Sequence, residues 1–216
     1  MFPTTTRSAF RLATSLRART NYNAWNRCSI AAFSATAAFP EPNNNSATDT
    51  DLMDSFQTLG VSRRFGLQQS ELKLKYHTLM NEYHPDKHQD KSLEERLLID
   101  EKAASITHAF QTLSHPSLRA KHLLTLLGNP IEETSKTDLV GMDFLLQVME
   151  LQESVEAAPA ENMEPLWKET QIHIGSLLDE LTVAFDETRD ETTAKYNVAK
   201  LQYWYRIESL IHEKMR

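Results

Sequence analysis

Residues 72–113 read LKLKYHTLMNEYHPDKHQDKSLEERLLIDEKAASITHAFQTL. Leu72, Tyr76, Leu79 and Tyr83 recur at steps of four, three and four, which places them on one stripe of a helix. His84-Pro85-Asp86-Lys87 interrupts that helix, because proline restricts the residue before it and has no amide proton for the helical ladder. A second helical pattern follows, with Leu93, Leu97, Ala103, Ile106, Phe110 and Leu113. A helix as short as the first needs a partner to be stable, so the two runs and their tight polar break predict an antiparallel helical hairpin. The break has no partner nucleophile, no phosphate-type glycine loop and no cysteine pair. It therefore reads as a docking device and not as an active site.

Working outward, Leu52, Phe56 and Leu59 predict a short helix that closes the small core of the hairpin, with Asp51 as its N-cap and Gly60 as its stop. Residues 61–69 read as a loop, and Ser70 as the cap of the next helix. Downstream, Pro116 sits where a helix begins, and Gly128-Asn129-Pro130 ends it. Asp138–Val155 reads as one helix, interrupted at Ala157–Pro159. Leu166, His173, Leu177, Leu181 and Phe185 mark a long helix, and Tyr196, Ala199, Tyr203, Ile207 and Leu210 mark the last one. His173 reads as a satisfied bundle residue, and Trp167 and Trp204 as packing between the last two helices. The expected fold is all-α: a hairpin with a short extra helix over residues 51–115, then an antiparallel helical bundle over residues 116–216.

Charge is divided unevenly. Residues 1–40 carry five arginines and no acid, so the net charge of -7 hides +5 in this segment and -12 in the remainder. Arg, Ser, Thr and Ala without acids are the composition of an organelle transit peptide, and cleavage between Arg27 and Phe33 would remove Cys28, the single cysteine. Residues 1–50 thus read as a leader followed by a flexible joint around the asparagines at 43–45. One cysteine excludes an internal disulfide and a cysteine-based zinc cluster within the chain. A net acidic body does not suit a nucleic-acid backbone, and no apolar run is long enough for a membrane span.

Two surfaces carry the functional reading. At the hairpin tip Lys73, Lys75, Lys87 and His88 make one corner positive, and Asp86 is placed to accept hydrogen bonds from a partner's arginine. The plainer alternative is an ordinary turn. In the helix from Asp138, Phe144, Val148, Leu151 and Val155 form one stripe, and Leu145, Leu146 and Met149 fall beside it. That is more apolar surface than one buried face needs. Either the helix is buried on two sides, or it binds a partner with Glu150 and Glu153 as a charged rim.

Tyr76–Lys87 followed by Ile106–Leu113 resembles a J domain, the module that stimulates ATP hydrolysis by seventy-kilodalton heat-shock chaperones. The chain is most similar to the HscB-type co-chaperones of iron-sulfur cluster assembly. Phe56-Gln57-Thr58-Leu59-Gly60, Leu118–Leu124, Phe144–Leu151 and Lys200-Leu201-Gln202-Tyr203 carry that resemblance over roughly residues 51–214. It implies that His84, Pro85 and Asp86 engage the ATPase partner, helped by Lys73 and Lys75. It also implies that Leu145, Leu146, Met149, Glu150 and Glu153, with Tyr203 from the last helix, bind the iron-sulfur scaffold. Tyr203 is alternatively a core residue on the same stripe as Tyr196 and Ile207. His77 stands where the family usually has arginine, Glu82 adds a negative charge, and Ala157 stands at a position that is acidic in the family. The expected partners are a mitochondrial 70-kDa heat-shock chaperone and the scaffold protein, in the mitochondrial matrix, with no cofactor and no covalent chemistry by the chain itself. A metal held by His84, Asp86 and His88 and a hydrolytic site are weaker readings: no His-Glu-x-x-His occurs, and no nucleophile, base and oxyanion donor assemble. A J protein serving unfolded clients, and a helical assembly factor without chaperone coupling, are the remaining alternatives.

Overall fold

The computed structural model describes residues 53–132 and 136–216. The expected leader, its joint and Asp51 lie outside these residues. Among the described residues eight α-helices follow in order: α1 Ser55–Leu59, α2 Gln69–Tyr83, α3 Leu93–Ser114, α4 Pro116–Leu126, α5 Lys136–Val140, α6 Met142–Ala157, α7 Met163–Thr182 and α8 Glu191–Lys214. A 3₁₀ turn, Pro85–His88, links α2 to α3, and α7 ends in a π turn, Val183–Thr188.

Local chemistry sets most of the boundaries. The cap of α1 is Asp54, which accepts the Phe56 amide at 2.9 Å, and Gly60 stops the helix in the left-handed conformation at φ 63°. Ser70 lies inside α2, which begins at Gln69 without a side-chain cap. Ser92 and Glu95 form a reciprocal capping box on α3. Gly141, at φ 76°, divides the expected Asp138–Val155 helix into α5 and α6.

α2 and α3 form the antiparallel hairpin. Tyr76 stacks on Phe110 at 4.4 Å between ring centroids, and Thr107 reaches the Met80 sulfur. This register sets the end of α2 against residues 103–104. The first ten or so residues of α3, about 15 Å of helix, therefore run past α2. Leu93 and Leu97 lie on that overhang, 73% and 61% exposed, and not in the core as their spacing predicts. The hairpin core is instead Phe56 and Leu59 from α1, Leu72 from α2, and Ile106 and Leu113 from α3.

α6, α7 and α8 run up, down and up. Gln171 donates to Glu208 and Asn197 to Glu180, which makes α7 and α8 antiparallel. Phe144 lies edge-on to Tyr203 and Trp204, while Lys214 donates to the Glu156 and Ala158 carbonyls at the far end of α6. α8 is the central element, in contact with α4, α5, α6 and α7. Its buried residues are Ala194, Asn197, Val198, Ala199, Leu201, Trp204, Ile207 and Ile211. Trp204 is buried against His173, which stacks on it at 4.1 Å. Tyr196, by contrast, is exposed and Leu210 only half-buried.

One buried arginine joins hairpin to bundle. Arg119, 6% exposed, donates through Nε to the Leu113 carbonyl at 2.7 Å and through its terminal nitrogen to the Phe65 carbonyl at 2.6 Å. Asp186, on the π turn, accepts the Phe65 and Gly66 amides at 2.8 Å each. Phe65 stacks on Phe185 and lies under the Arg119 guanidinium. Gly66 fits closely here: a Cβ would lie 3.0 Å from the Asp186 carboxylate, which would have to shift by a few tenths of an ångström. On the other side Ser55 donates its amide to His122, whose ring stacks on Phe56.

Candidate functional site: two docking surfaces

At the tip, α2 ends with its last carbonyls facing the turn. Lys87 donates to the Asn81 carbonyl at 2.8 Å, and the His88 ring nitrogen lies 2.7 Å from the Glu82 carbonyl. These side chains satisfy groups that a helix end leaves open. His84 caps α2 in an extended conformation, and its Nδ1 accepts the Asp86 amide at 3.2 Å. Asp86 is exposed, with its carboxylate 3.8 Å from His84 Nδ1 and otherwise toward solvent. The turn thus holds an acceptor-rich point at the end of a helix without using it internally.

Lys73 and Lys75 are both exposed, but they do not share a face. At 3.6 residues per turn they diverge by about 160° and flank the Leu72 stripe from opposite sides. Lys73 falls in the sector of His77 and His84, whereas Lys75 falls in the sector of Glu82. Lys87 spends its ammonium on Asn81. The lysines are therefore spread along α2, Lys73 and Lys75 on opposite sides of it and Lys87 at the tip.

The second surface is on α6. Phe144, Val148 and Val155 are buried, Leu145 and Leu151 are half-buried, and Leu146 and Met149 are 51% and 56% exposed. Glu150 and Glu153 are exposed beside them. α6 is thus not buried on two sides: its surplus apolar side chains face solvent. Tyr203 is half-buried, its ring edge-on to Phe144 at 5.9 Å, so it serves the packing of α6 and also reaches the surface.

The junction between the two surfaces holds residues that spacing does not reveal. Burial pulls the Arg119 guanidinium down to about 10, opposed by Tyr205 and Asp186, so it stays charged at neutral pH. Burial also lowers His115 and His122, with Arg119 adding to the first and Asp54 opposing the second. Leu118–Leu124 belongs to the motif quoted above, yet only the buried amphipathic pattern of α4 hints that Arg119 faces inward. Asp186 has no signal beyond its place in an acidic loop. Among the described residues no three His, Cys, Asp or Glu side chains gather closely enough to hold a metal ion. No described helix is long and apolar enough to cross a membrane.

Comparison with known proteins follows the same division. The DnaJ domain family matches residues 54–122, and the HSCB C-terminal oligomerisation domain family matches residues 140–212. A co-chaperone protein HscB homolog of Aliivibrio fischeri strain MJ11 is 37% identical over 110 residues. That match covers 50% of this chain and 63% of the relative, so the chain spans under two thirds of the curated relatives it matches. Human co-chaperone protein HscB superposes with a TM-score of 0.70 at 26% identity, over 83% of this chain and 91% of that one. Chaperone HscB from Vibrio cholerae gives 0.65 at 25% identity, over 74% and 96%. The hairpin and its His84-Pro85-Asp86 tip, joined to α1, form a DnaJ-type helical hairpin region. With the bundle that follows, the chain is similar in both halves to HscB co-chaperones.

Proposed function

We propose that the chain is a co-chaperone that holds an iron-sulfur cluster scaffold protein on α6 and presents it to a mitochondrial 70-kDa heat-shock chaperone through the hairpin tip. It stimulates ATP hydrolysis by that chaperone and performs no covalent step itself. The observation that carries this reading is the pairing, in one chain, of a solvent-facing Asp86 at the end of α2 with an exposed apolar patch at Leu146 and Met149. The first suits docking to a basic surface, and the second suits a dry contact ringed by Glu150 and Glu153. Binding both partners couples the two equilibria: scaffold loading favours hydrolysis, and the ADP-bound chaperone retains the scaffold while its cluster moves on. The basic, acid-free residues 1–40 support delivery to the mitochondrial matrix.

Single-turnover ATP hydrolysis by the mitochondrial chaperone, with scaffold present, tests this. Wild type is expected to stimulate, Asp86→Asn to lose stimulation while binding scaffold normally, and Leu146→Ala with Met149→Ala to weaken scaffold binding by roughly tenfold or more. No stimulation by folded wild type would overturn the chaperone half, and loss of both functions in either variant would overturn the separation of the two surfaces. Equal binding to unrelated unfolded peptides would favour a general client-binding J protein.

A further inference from the structure

A cleft of about 800 Å³ lies away from both surfaces, where the loop after α1, the end of α4 and the π turn meet. Its α4 wall is aliphatic: Leu123 is buried, Leu126 half-buried and Leu127 exposed. Phe185 continues this apolar floor from the π turn. The edges are basic, with Arg63 and Arg64 on the loop and Arg189 at the end of the π turn. Arg63 is occupied by Asp54 at 2.6 Å. Arg64 donates only to Ser62, and among the described residues neither Arg64 nor Arg189 is paired with a carboxylate.

Asp186 and Glu191 line the cleft with these arginines, and neither is ion-paired to Arg64 or Arg189. Asp186 is committed to two amides and faces the buried charge of Arg119. Glu191 lies at the rim, 3.5 Å from the Asn129 amide. A chain of net charge -7 therefore presents here an apolar floor with two guanidinium groups available at its edge. Arg189 also holds φ 55°, the one non-glycine with positive φ among the described residues, where glycine would sit without strain.

We propose that this cleft docks an acidic peptide segment of a partner protein that carries a bulky apolar side chain. The apolar side chain covers the α4 leucines, and carboxylates on either side of it pair with Arg64 and Arg189 in the fork geometry guanidinium favours. A small anion alone would leave the leucines wet, and a purely apolar segment would leave both guanidinium groups unmatched. This docking is independent of the tip and of α6, so it stands or falls apart from the co-chaperone reading.

The test is fluorescence anisotropy of the full chain with a labelled peptide of sequence Glu-Asp-Leu-Phe-Asp-Glu. Saturable, salt-weakened binding is expected. It should fall roughly tenfold in Arg64→Ser combined with Arg189→Gly, and also in Leu127→Asp. Arg189→Gly keeps the backbone conformation without steric cost, and urea midpoints confirm that each variant is folded. Two altered peptides, one with serines for Leu-Phe and one with lysines for the acids, need no variant and should not bind. Absence of saturable binding, or binding unchanged in the variants, overturns the proposal. So does binding that needs the arginines but ignores Leu127→Asp and the serine peptide, since that describes an anion site.

Discussion

His122 accepts the Ser55 amide through Nε2 at 3.1 Å, which only the neutral ring can do. Burial lowers its pKa, with His108 and Arg63 adding to the effect and Asp54 opposing it, and His115 is lowered by burial and Arg119. Above the unfolded value of 6.5 both states are neutral and the fold has its full stability. As pH falls through that value the unfolded chain takes up protons first, so stability declines until the folded pKa is reached. Urea unfolding is expected to show lower stability at about pH 5.5 than at about pH 7.5, and His122→Gln, which keeps an acceptor, to shrink the difference. An unchanged difference would assign the pH dependence to His115. At this scale the sequence reveals what acts locally: Gly60 ends α1, Pro116 begins α4, and His84-Pro85-Asp86 makes the tip. Arg119 and Asp186 stay hidden because their bonds reach partners 54 and 121 residues away, and such pairings leave no periodic trace.

For the helices, periodicity finds existence and fails on extent. Leu93 and Leu97 continue the spacing of α3, but α2 ends too soon to cover them, and that depends on a register only the packed hairpin sets. The surplus apolar stripe of α6 is legible because it exceeds one buried face, although which residues remain exposed follows from how α8 rotates against it. In the sequence Gly141 falls inside a continuous Asp138–Val155 pattern, since glycine is tolerated in helices at modest cost. Its φ of 76° makes it the corner between α5 and α6. A Cβ there meets no atom within 4 Å, so Gly141→Ala tests backbone conformation alone. It is expected to cost about 1 kcal/mol, read from the urea midpoint. No loss would mean that the corner straightens into one helix.

The order of the whole molecule, a hairpin and then a bundle, is legible from stripes and breaks. How the two halves meet is not. Ser114 ends α3 and Pro116 begins α4, leaving His115 alone between them. Leu113 and Phe65 direct their carbonyls to Arg119, and Phe56 lies against His122, so hairpin groups depend on α4 for their bonds and cover. The hairpin is for this reason not a portable module. Expressed as residues 53–115, it should unfold without cooperativity, because orphaned carbonyls and an uncovered aromatic ring each weigh against a small core. Residues 53–128, with α4 restored, should unfold cooperatively. A cooperative transition in the shorter fragment would sink this expectation. The unit that can be cut out and transplanted is thus longer than the hairpin, and grafting the tip onto another protein would require carrying α4 along with it.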